Sequence, residues 1–291
     1  MKDTLGERIF YTLNIVILTL AALVCLLPLI HILAVSLSSN TAIATGKVSL
    51  WPVDPTWRAY VSMIEGTNIL KAFQNSLIIT VVGTAFNMVL TILAAYPLSK
   101  KQFYFRRFFT LAIVFTMLFK AGLIPDYMLV KSLHLVNSYW ALWLPGLISV
   151  YNMLLLRSFF TAIPEELEDA ARIDGCSEWK LIYRIILPLS LPVIATLTLF
   201  YGVAHWNSFF NVMIYINDSI KYNLSVLVQN MIQSSSLLTE MSHLNPEDYR
   251  MLTPESIKSA SVIVMTLPML AIYPFLQKYF VKGVMLGAVK G

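Results

Sequence analysis

The sequence predicts an all-α, polytopic membrane protein with six transmembrane helices. Hydrophobic residues make up 57% of the 291 residues, and the mean hydropathy is +0.70. A soluble core could not bury so much apolar surface in a chain of this length, so we expect a lipid bilayer to surround the excess. Six apolar stretches are each long enough to cross the bilayer, which takes roughly 20 residues for about 30 Å of hydrocarbon.

The six predicted spans follow one another along the whole chain, which we treat as a single transmembrane domain, residues 1–291. The spans lie at about Ile9–Leu37, Ala72–Leu98, Phe105–Ile124, Ser138–Phe160, Ile185–Tyr215 and Ser259–Gln277. The third is the least uniform because Lys120 lies near one end, where its alkyl stem lets the ammonium group reach the interface. The first apolar run is too long for the core of a signal peptide, which has about 7–15 residues.

Lysine and arginine residues in the connecting segments predict the orientation in the membrane. With the N-terminus in the cytoplasm, 13 of the 21 basic residues fall in the inner segments. The turn KKQFYFRR, at 100–107 between spans two and three, is the strongest local signal. Six spans then return the C-terminus to the cytoplasm.

Several function classes are disfavoured by the composition. The basic residues behind the pI of about 9.1 lie in short loops beside spans, where anionic lipid is a better partner than nucleic acid. Cys25 and Cys176 form no disulfide framework, and four scattered histidines predict no metal site. No nucleotide-binding motif or catalytic grouping is present, so we expect neither enzymatic activity nor a cofactor in this chain. An ion-coupled carrier would need pore charges or internal repeats, and neither is evident.

A dense cluster of charges stands out between spans four and five. Nine of the twenty residues from Glu165 to Arg184 are charged, against 13% overall. Pro164 suits the first position of a helix, and the acids that follow it complement the helix dipole. Gly175 supplies a left-handed stop, and Ser177 can cap a second helix that Pro188 interrupts. We call this predicted helix–glycine–helix segment, residues 164–184, the elbow.

The elbow needs a docking surface, because a first helix of about ten residues is marginally stable alone. An interfacial helix lying on lipid would carry basic residues and large apolar anchors. The first arm carries acids instead, with Ile163, Leu167, Ala170 and Ala171 in a narrow apolar stripe. A protein partner therefore fits better than the membrane surface.

The elbow resembles the EAA signature of permease subunits of ATP-binding-cassette (ABC) importers. The matching residues, with the signature's spacing at every position, are Asp169, Ala170, Ala171, Gly175, Ile185, Leu187 and Pro188. Asp169 stands where the family usually has glutamate, and Glu168 precedes it. The resemblance implies that these residues, with Glu168, couple the permease to a separate ATPase.

Other segments resemble the carbohydrate-uptake branch, and in particular the smaller permease of the maltose transporter pair. They are Asn137–Trp140, Tyr151–Leu154, Arg157–Phe160, Ile173–Gly175, Trp206–Asn207 and the ending Lys282–Gly291. The stretch GLIPDYMLVKSLHLVNSYWALWLPG further resembles subunits that import oligosaccharides derived from complex polysaccharides. A permease for a non-sugar solute remains the alternative.

The resemblance implies a type I importer permease fold in the plasma membrane of a bacterium, with both termini in the cytoplasm. The implied partners are a second permease, a dimer of ATPases that holds ATP and magnesium, an extracellular solute-binding protein and a sugar or oligosaccharide. In such importers the outer loop, here 218–258, reaches toward the binding protein.

Polar and aromatic residues near spans four and five are candidates for the sugar pathway, since sugars are bound by aromatic faces and amides. They are Tyr151, Asn152, His205, Trp206, Asn207 and Asn211. Interface anchoring by aromatic residues and hydrogen bonds between helices are the competing explanation for each.

Overall fold

The structure, a computed structural model, describes residues 4–233 and 253–288. The regular elements of these residues are all helical, which confirms the predicted all-α class. We number the α-helices in chain order: α1 Leu5–Ser36, α2 Asn40–Ala44, α3 Arg58–Gly66, α4 Ile69–Ser99, α5 Arg106–Leu118, α6 Leu123–Ser132, α7 Trp140–Trp143, α8 Val150–Thr161, α9 Glu165–Ile173, α10 Glu178–Leu181, α11 Leu187–Leu189, α12 Leu191–Trp206, α13 Phe209–Tyr215, α14 Leu224–Gln233 and α15 Pro254–Ala288. Two 3₁₀ turns, Leu144–Gly146 and Ser219–Lys221, and one π turn, Ile182–Ile186, complete the set.

Six candidate spans are present if each bent helix pair counts as one. Three are continuous helices: α1, α4 and the part of α15 from Pro254 to Pro274. The other three are pairs bent at a short break: α5 with α6 by 112°, Trp140–Gly146 with α8 by 52°, and Glu178–Leu189 with α12 by 84°. The predicted number of spans therefore holds, but half of the spans are not straight.

The third predicted span, Phe105–Ile124, is not one helix. Helix α5 has 13 residues, which gives a length of about 20 Å, less than the roughly 30 Å of the hydrocarbon core. The chain then breaks at 119–122 and turns into α6. Gly122 has φ +94°, a conformation that a helix cannot continue through and that glycine adopts at little cost.

The fifth span also differs from its prediction. Helix α12 ends at Trp206, so 207–215 form a break and the separate helix α13 rather than a continuation. Pro188 does not interrupt the helix where we expected it to. The π turn precedes Pro188 and widens the helix where the proline ring would otherwise meet the carbonyl of Arg184. The bend falls two residues later, at Ser190.

The described residues divide into two compact units. The first is drawn from Met1–Ile69 and Val228–Leu267. Most of α1 exposes apolar side chains, as expected for a helix that faces lipid, and only Ala34, Val35 and Ser36 near its end are buried. Met63 and Ile257 are fully buried in this unit, where the Ser261 hydroxyl donates to the carbonyl of Ile257.

The second unit is drawn from Leu70–Leu227 and Pro268–Gly291. One apolar cluster joins residues of α4, α8, α9, the π turn and α12, with Leu156, Leu181 and Leu197 fully buried. A second cluster joins α4 to α6, α7 and α13 around Ile79 and Val212. The elbow and the six pathway candidates belong to this unit. Most of the predicted outer loop, at 234–252, lies outside the described residues.

Candidate coupling site

The first arm of the elbow is helix α9. It begins at Glu165, one residue later than we expected, because Pro164 occupies the cap position and not the first helical position. The helix ends at a paired turn in which the Gly175 N–H donates to the Arg172 carbonyl at 3.0 Å and the Cys176 N–H donates to the Ala171 carbonyl at 2.9 Å. Gly175 has φ +76°, the left-handed conformation that this type of helix end requires.

The second arm of the elbow begins at Glu178, and its helical backbone continues without a break beyond the elbow to Leu189. Ser177 has the extended conformation of a capping residue, but its side chain makes no capping hydrogen bond. Leu181 and Ile186 are fully buried and anchor the arm, while Ile185 and Leu187 are partly buried and Pro188 is exposed. The arm meets α12 at Ser190, where the helical chain bends by 84°.

Glu168 is the buried carboxylate of the elbow. It is 5% exposed and its Oε1 forms an ion pair with Lys100 Nζ, just beyond the end of α4. The same ammonium group lies 4.5 Å from the centre of the Tyr96 ring. The side chain of Glu168 therefore points into its own subunit and away from the exposed face of α9.

Arg172 and Tyr96 extend this ion pair to the second arm. Arg172 Nη2 lies 3.7 Å from Glu168 Oε2 and 3.2 Å from Glu178 Oε1. The Tyr96 hydroxyl donates to Glu178 Oε2 at 2.7 Å. Both arms are therefore fastened to the end of α4. We call Tyr96, Lys100, Glu168, Arg172 and Glu178 the anchoring network.

A second ion pair beside the network is exposed. Lys101 Nζ lies 2.9 Å from Glu165 Oε1, and its hydrogen bond and charge lower the pKa of Glu165. Both side chains are more than 60% exposed, and such surface pairs contribute little to stability.

The opposite face of the elbow is open. Asp169 and Ala170 are exposed there, and the Asp169 carboxylate lies 3.5 Å from Arg172 Nη1. Ala171, which we expected on the same stripe, is buried in the core of its own chain together with Ile163. The exposed fractions of Ile173, Trp179 and Tyr183 are 86%, 71% and 76%, large values for apolar side chains. On a segment this rich in charge, we interpret these side chains as candidates for contact with another protein.

The six pathway candidates are spread over separate elements. Tyr151 is exposed at the start of α8, and the next residue, Asn152, is buried. Trp206 is buried at the end of α12, with its ring edge-on to Phe73. Asn207 and Asn211 are exposed. The structure therefore leaves three of the six candidates, Tyr151, Asn207 and Asn211, at a surface.

His205 takes part in hydrogen bonds between helices. Its Nε2 lies 2.6 Å from Asn87 Oδ1, and Asn87 Nδ2 donates to the carbonyls of Gly146 and Leu147 at 2.7 and 2.9 Å. Gly83 permits this arrangement, because a Cβ at that position would lie 2.6 Å from the imidazole ring. Asn87 thus provides hydrogen bonds to backbone carbonyls that are left without helical partners at the bend in span four. Through Asn87, span two is connected to span four and, by way of His205, to span five.

Bent and continuous membrane spans with a helical elbow between two of them define the chain as a polytopic helical membrane protein. The family model of the binding-protein-dependent transport system inner membrane component matches residues 1–286. The chain belongs to this family, and it is a permease subunit of an ABC importer.

Individual relatives match along their whole lengths. The chain is 41% identical to the polygalacturonan/rhamnogalacturonan transport system permease protein YtcP of Bacillus subtilis, with all of both chains covered. It is 40% identical to Protein LplC of the same organism, covering all of this chain and 98% of that one. Among solved structures, it matches a bacterial ABC transporter involved in the import of the acidic polysaccharide alginate. That match has a TM-score of 0.88 at 29% identity and covers 96% of this chain and 99% of the other.

Proposed function

We propose that this permease forms half of the translocation pathway for an oligosaccharide and couples it to a separate ATPase through the elbow. The main support for a coupling role is that the two faces of the elbow differ. Buried charges fasten one face to α4, and the other face exposes Asp169 together with Ile173, Trp179 and Tyr183. The names of the relatives, which include transport system permeases for polygalacturonan/rhamnogalacturonan and for arabinooligosaccharides, support a sugar substrate.

The remaining parts of the transporter follow from this assignment. A second permease completes the pathway, a dimer of ATPases holds ATP and magnesium, and a solute-binding protein delivers the sugar outside the cell. The elbow lies in the cytoplasm, as do both termini. The basic turn at 100–107 supports this placement, because it adjoins the elbow through Lys100 and Lys101.

This chain alone should neither hydrolyse ATP nor move sugar, because it supplies only half of a pathway and no nucleotide site. Liposomes that contain the chain alone, the chain with its ATPase, or the full set of partners would be assayed for import of labelled oligosaccharide and for phosphate release. We expect import only with the full set. Measurable import by the lone subunit would contradict the proposal, and import of non-sugar solutes alone would assign the chain to the alternative class.

Gly175→Val should uncouple ATP hydrolysis from import. No atom lies within 4 Å of a Cβ placed on Gly175, so the change introduces backbone strain rather than a clash. A branched residue at φ +76° costs about 1–2 kcal/mol, which favours a different angle between the two arms. We expect the number of sugars imported per ATP hydrolysed to fall several-fold.

Gly175→Asn is the matched control, because asparagine tolerates the left-handed conformation better than other residues do. It should retain most of the import that the valine variant loses. Normal import by Gly175→Val, with the ATPase still bound, would show that the turn at Gly175 does not set the coupling geometry.

A further inference from the structure

An open groove lies where two membrane spans are both broken. It has a volume of about 640 Å³, within the range of roughly 300–1,000 Å³ that is usual for small-ligand sites. One wall comes from the break between α5 and α6, which carries Lys120, and from the first turn of α6, which carries Asp126. The other comes from the bend before α8 and carries Ser149 and Tyr151.

The non-helical backbone at these breaks predicts a wet groove. In a membrane span, irregular backbone is tolerated only where protein covers it or where it lines a water-filled cavity. All four residues at 119–122 are exposed. On the other wall the backbone is held in place, since Asn87 binds two of its carbonyls and the Tyr201 hydroxyl accepts from the Ser149 N–H at 3.1 Å. The groove therefore has one firmly supported wall and room for a polar ligand.

Two opposite charges line the groove without pairing. Among the described residues, neither Lys120 nor Asp126 makes an ion pair within 4.0 Å. Ionisable residues at breaks in membrane spans commonly mark the path of a ligand or an ion. The ammonium group of Lys120 is suited to an anion, while the carboxylate of Asp126 accepts hydrogen bonds and would repel a ligand that carried only negative charge.

The aromatic side chains add a flat apolar surface. Tyr151 is 60% exposed, and Phe119, on the opposite wall, is 65% exposed with its ring stacked on Phe115 at 4.4 Å. A ligand with one carboxylate, several hydroxyl donors and a flat apolar ring face would match the cation, the acceptor and the aromatic surface together. An acidic sugar has all three features.

We infer that this groove is a binding subsite for one acidic sugar unit of the transported oligosaccharide. Lys120 binds the sugar carboxylate, Asp126 accepts from sugar hydroxyls and Tyr151 packs against the ring. The inference rests on the proposed function and adds to it the chemical class of the substrate and its position in this subunit.

The test compares Lys120→Gln with Lys120→Arg in the complete importer, using trigalacturonic acid and a neutral trisaccharide of galactose as probes. We expect Lys120→Gln to lower import of the acidic probe at subsaturating concentration by at least about tenfold, the size of one charged hydrogen bond. Lys120→Arg should stay within about threefold of the unmodified importer. Lys131→Gln is the matched control, because Lys131 is an exposed lysine on α6 outside the groove, and it should change nothing.

Each other outcome has a definite meaning. Import of neither probe by the unmodified importer would count against the proposed function itself. Import of the neutral probe alone, or normal import of the acidic probe by Lys120→Gln, would overturn the subsite. If Lys120→Arg lowers import of the acidic probe as much as Lys120→Gln does, Lys120 serves folding and the subsite is overturned. If the second permease no longer co-purifies with Lys120→Gln, Lys120 belongs to the interface between subunits and the subsite is likewise overturned.

Discussion

Glu168→Leu is expected to reduce oligosaccharide import by about a hundredfold, the largest effect of any change in the elbow. The substitution leaves the ammonium group of Lys100, whose side chain is only 18% exposed, without its carboxylate. Removing one partner of a buried ion pair costs about 3 kcal/mol or more, and each 1.4 kcal/mol corresponds to a factor of about ten in an equilibrium. The elbow would then lose its fixed position against α4, and movement of the ATPase would no longer reach the spans.

Lys100→Met combined with Glu168→Leu should restore much of the lost import. Replacing both members of a buried pair with apolar residues of similar size is often nearly neutral, because no uncompensated charge remains. The measurements are import into liposomes and the melting temperature of the purified importer for each single variant and for the double variant. A double variant as impaired as Glu168→Leu alone would show that the carboxylate acts on something other than Lys100.

The neighbouring pair Lys101–Glu165 provides the control. It joins the same residue types on the same two segments, but the side chains are 71% and 63% exposed. Exposed pairs typically contribute less than about 1 kcal/mol. Glu165→Leu should therefore leave import and melting temperature close to those of the unmodified protein, and a loss equal to that of Glu168→Leu would contradict the distinction between the buried and the exposed pair.

The sequence predicted the elbow itself because its signals are local. Proline, a run of acids and a glycine at a fixed spacing indicate where a helix begins, where it ends in a left-handed turn and where a second helix follows. The helical period also separates the faces of α9, but it does not say which face meets its own protein. Glu168 turns inward because Lys100, 68 residues away, lies against it, and no local pattern carries that information.

The same limit explains the bent spans and the pathway candidates. Apolar composition identifies a segment that can lie in lipid, but it does not show whether the helix axis is straight or bent. The 112° bend at 119–122 was therefore not predicted. Lys120 and Gly122 were signals that a break was possible. His205 was a candidate for the sugar because it lies in a span, yet its partner Asn87 is 118 residues away and fixes it between helices. Burial and long-range pairing separate the residues that hold the fold from those that remain available to a ligand.

Asp169→Ala is expected to lower recovery of the ATPase with the importer at least about tenfold more than Glu166→Ala does, since a desolvated charged contact contributes about 1.5–3 kcal/mol. Both acids are exposed on α9, so the two variants differ in position rather than in burial. Asp169 lies 3.5 Å from Arg172 in an exposed pair, which contributes little within the subunit.

The loss should therefore appear in assembly and not in the stability of the subunit. The melting temperature of the purified subunit should be the same for Asp169→Ala and Glu166→Ala, while co-purification of the ATPase falls only for the first. Asp169→Glu keeps the charge and should be near neutral in both measurements. Equal recovery of the ATPase with both alanine variants would remove the special role of Asp169, and a lowered melting temperature for Asp169→Ala would trace its effect to the Arg172 contact instead of the partner.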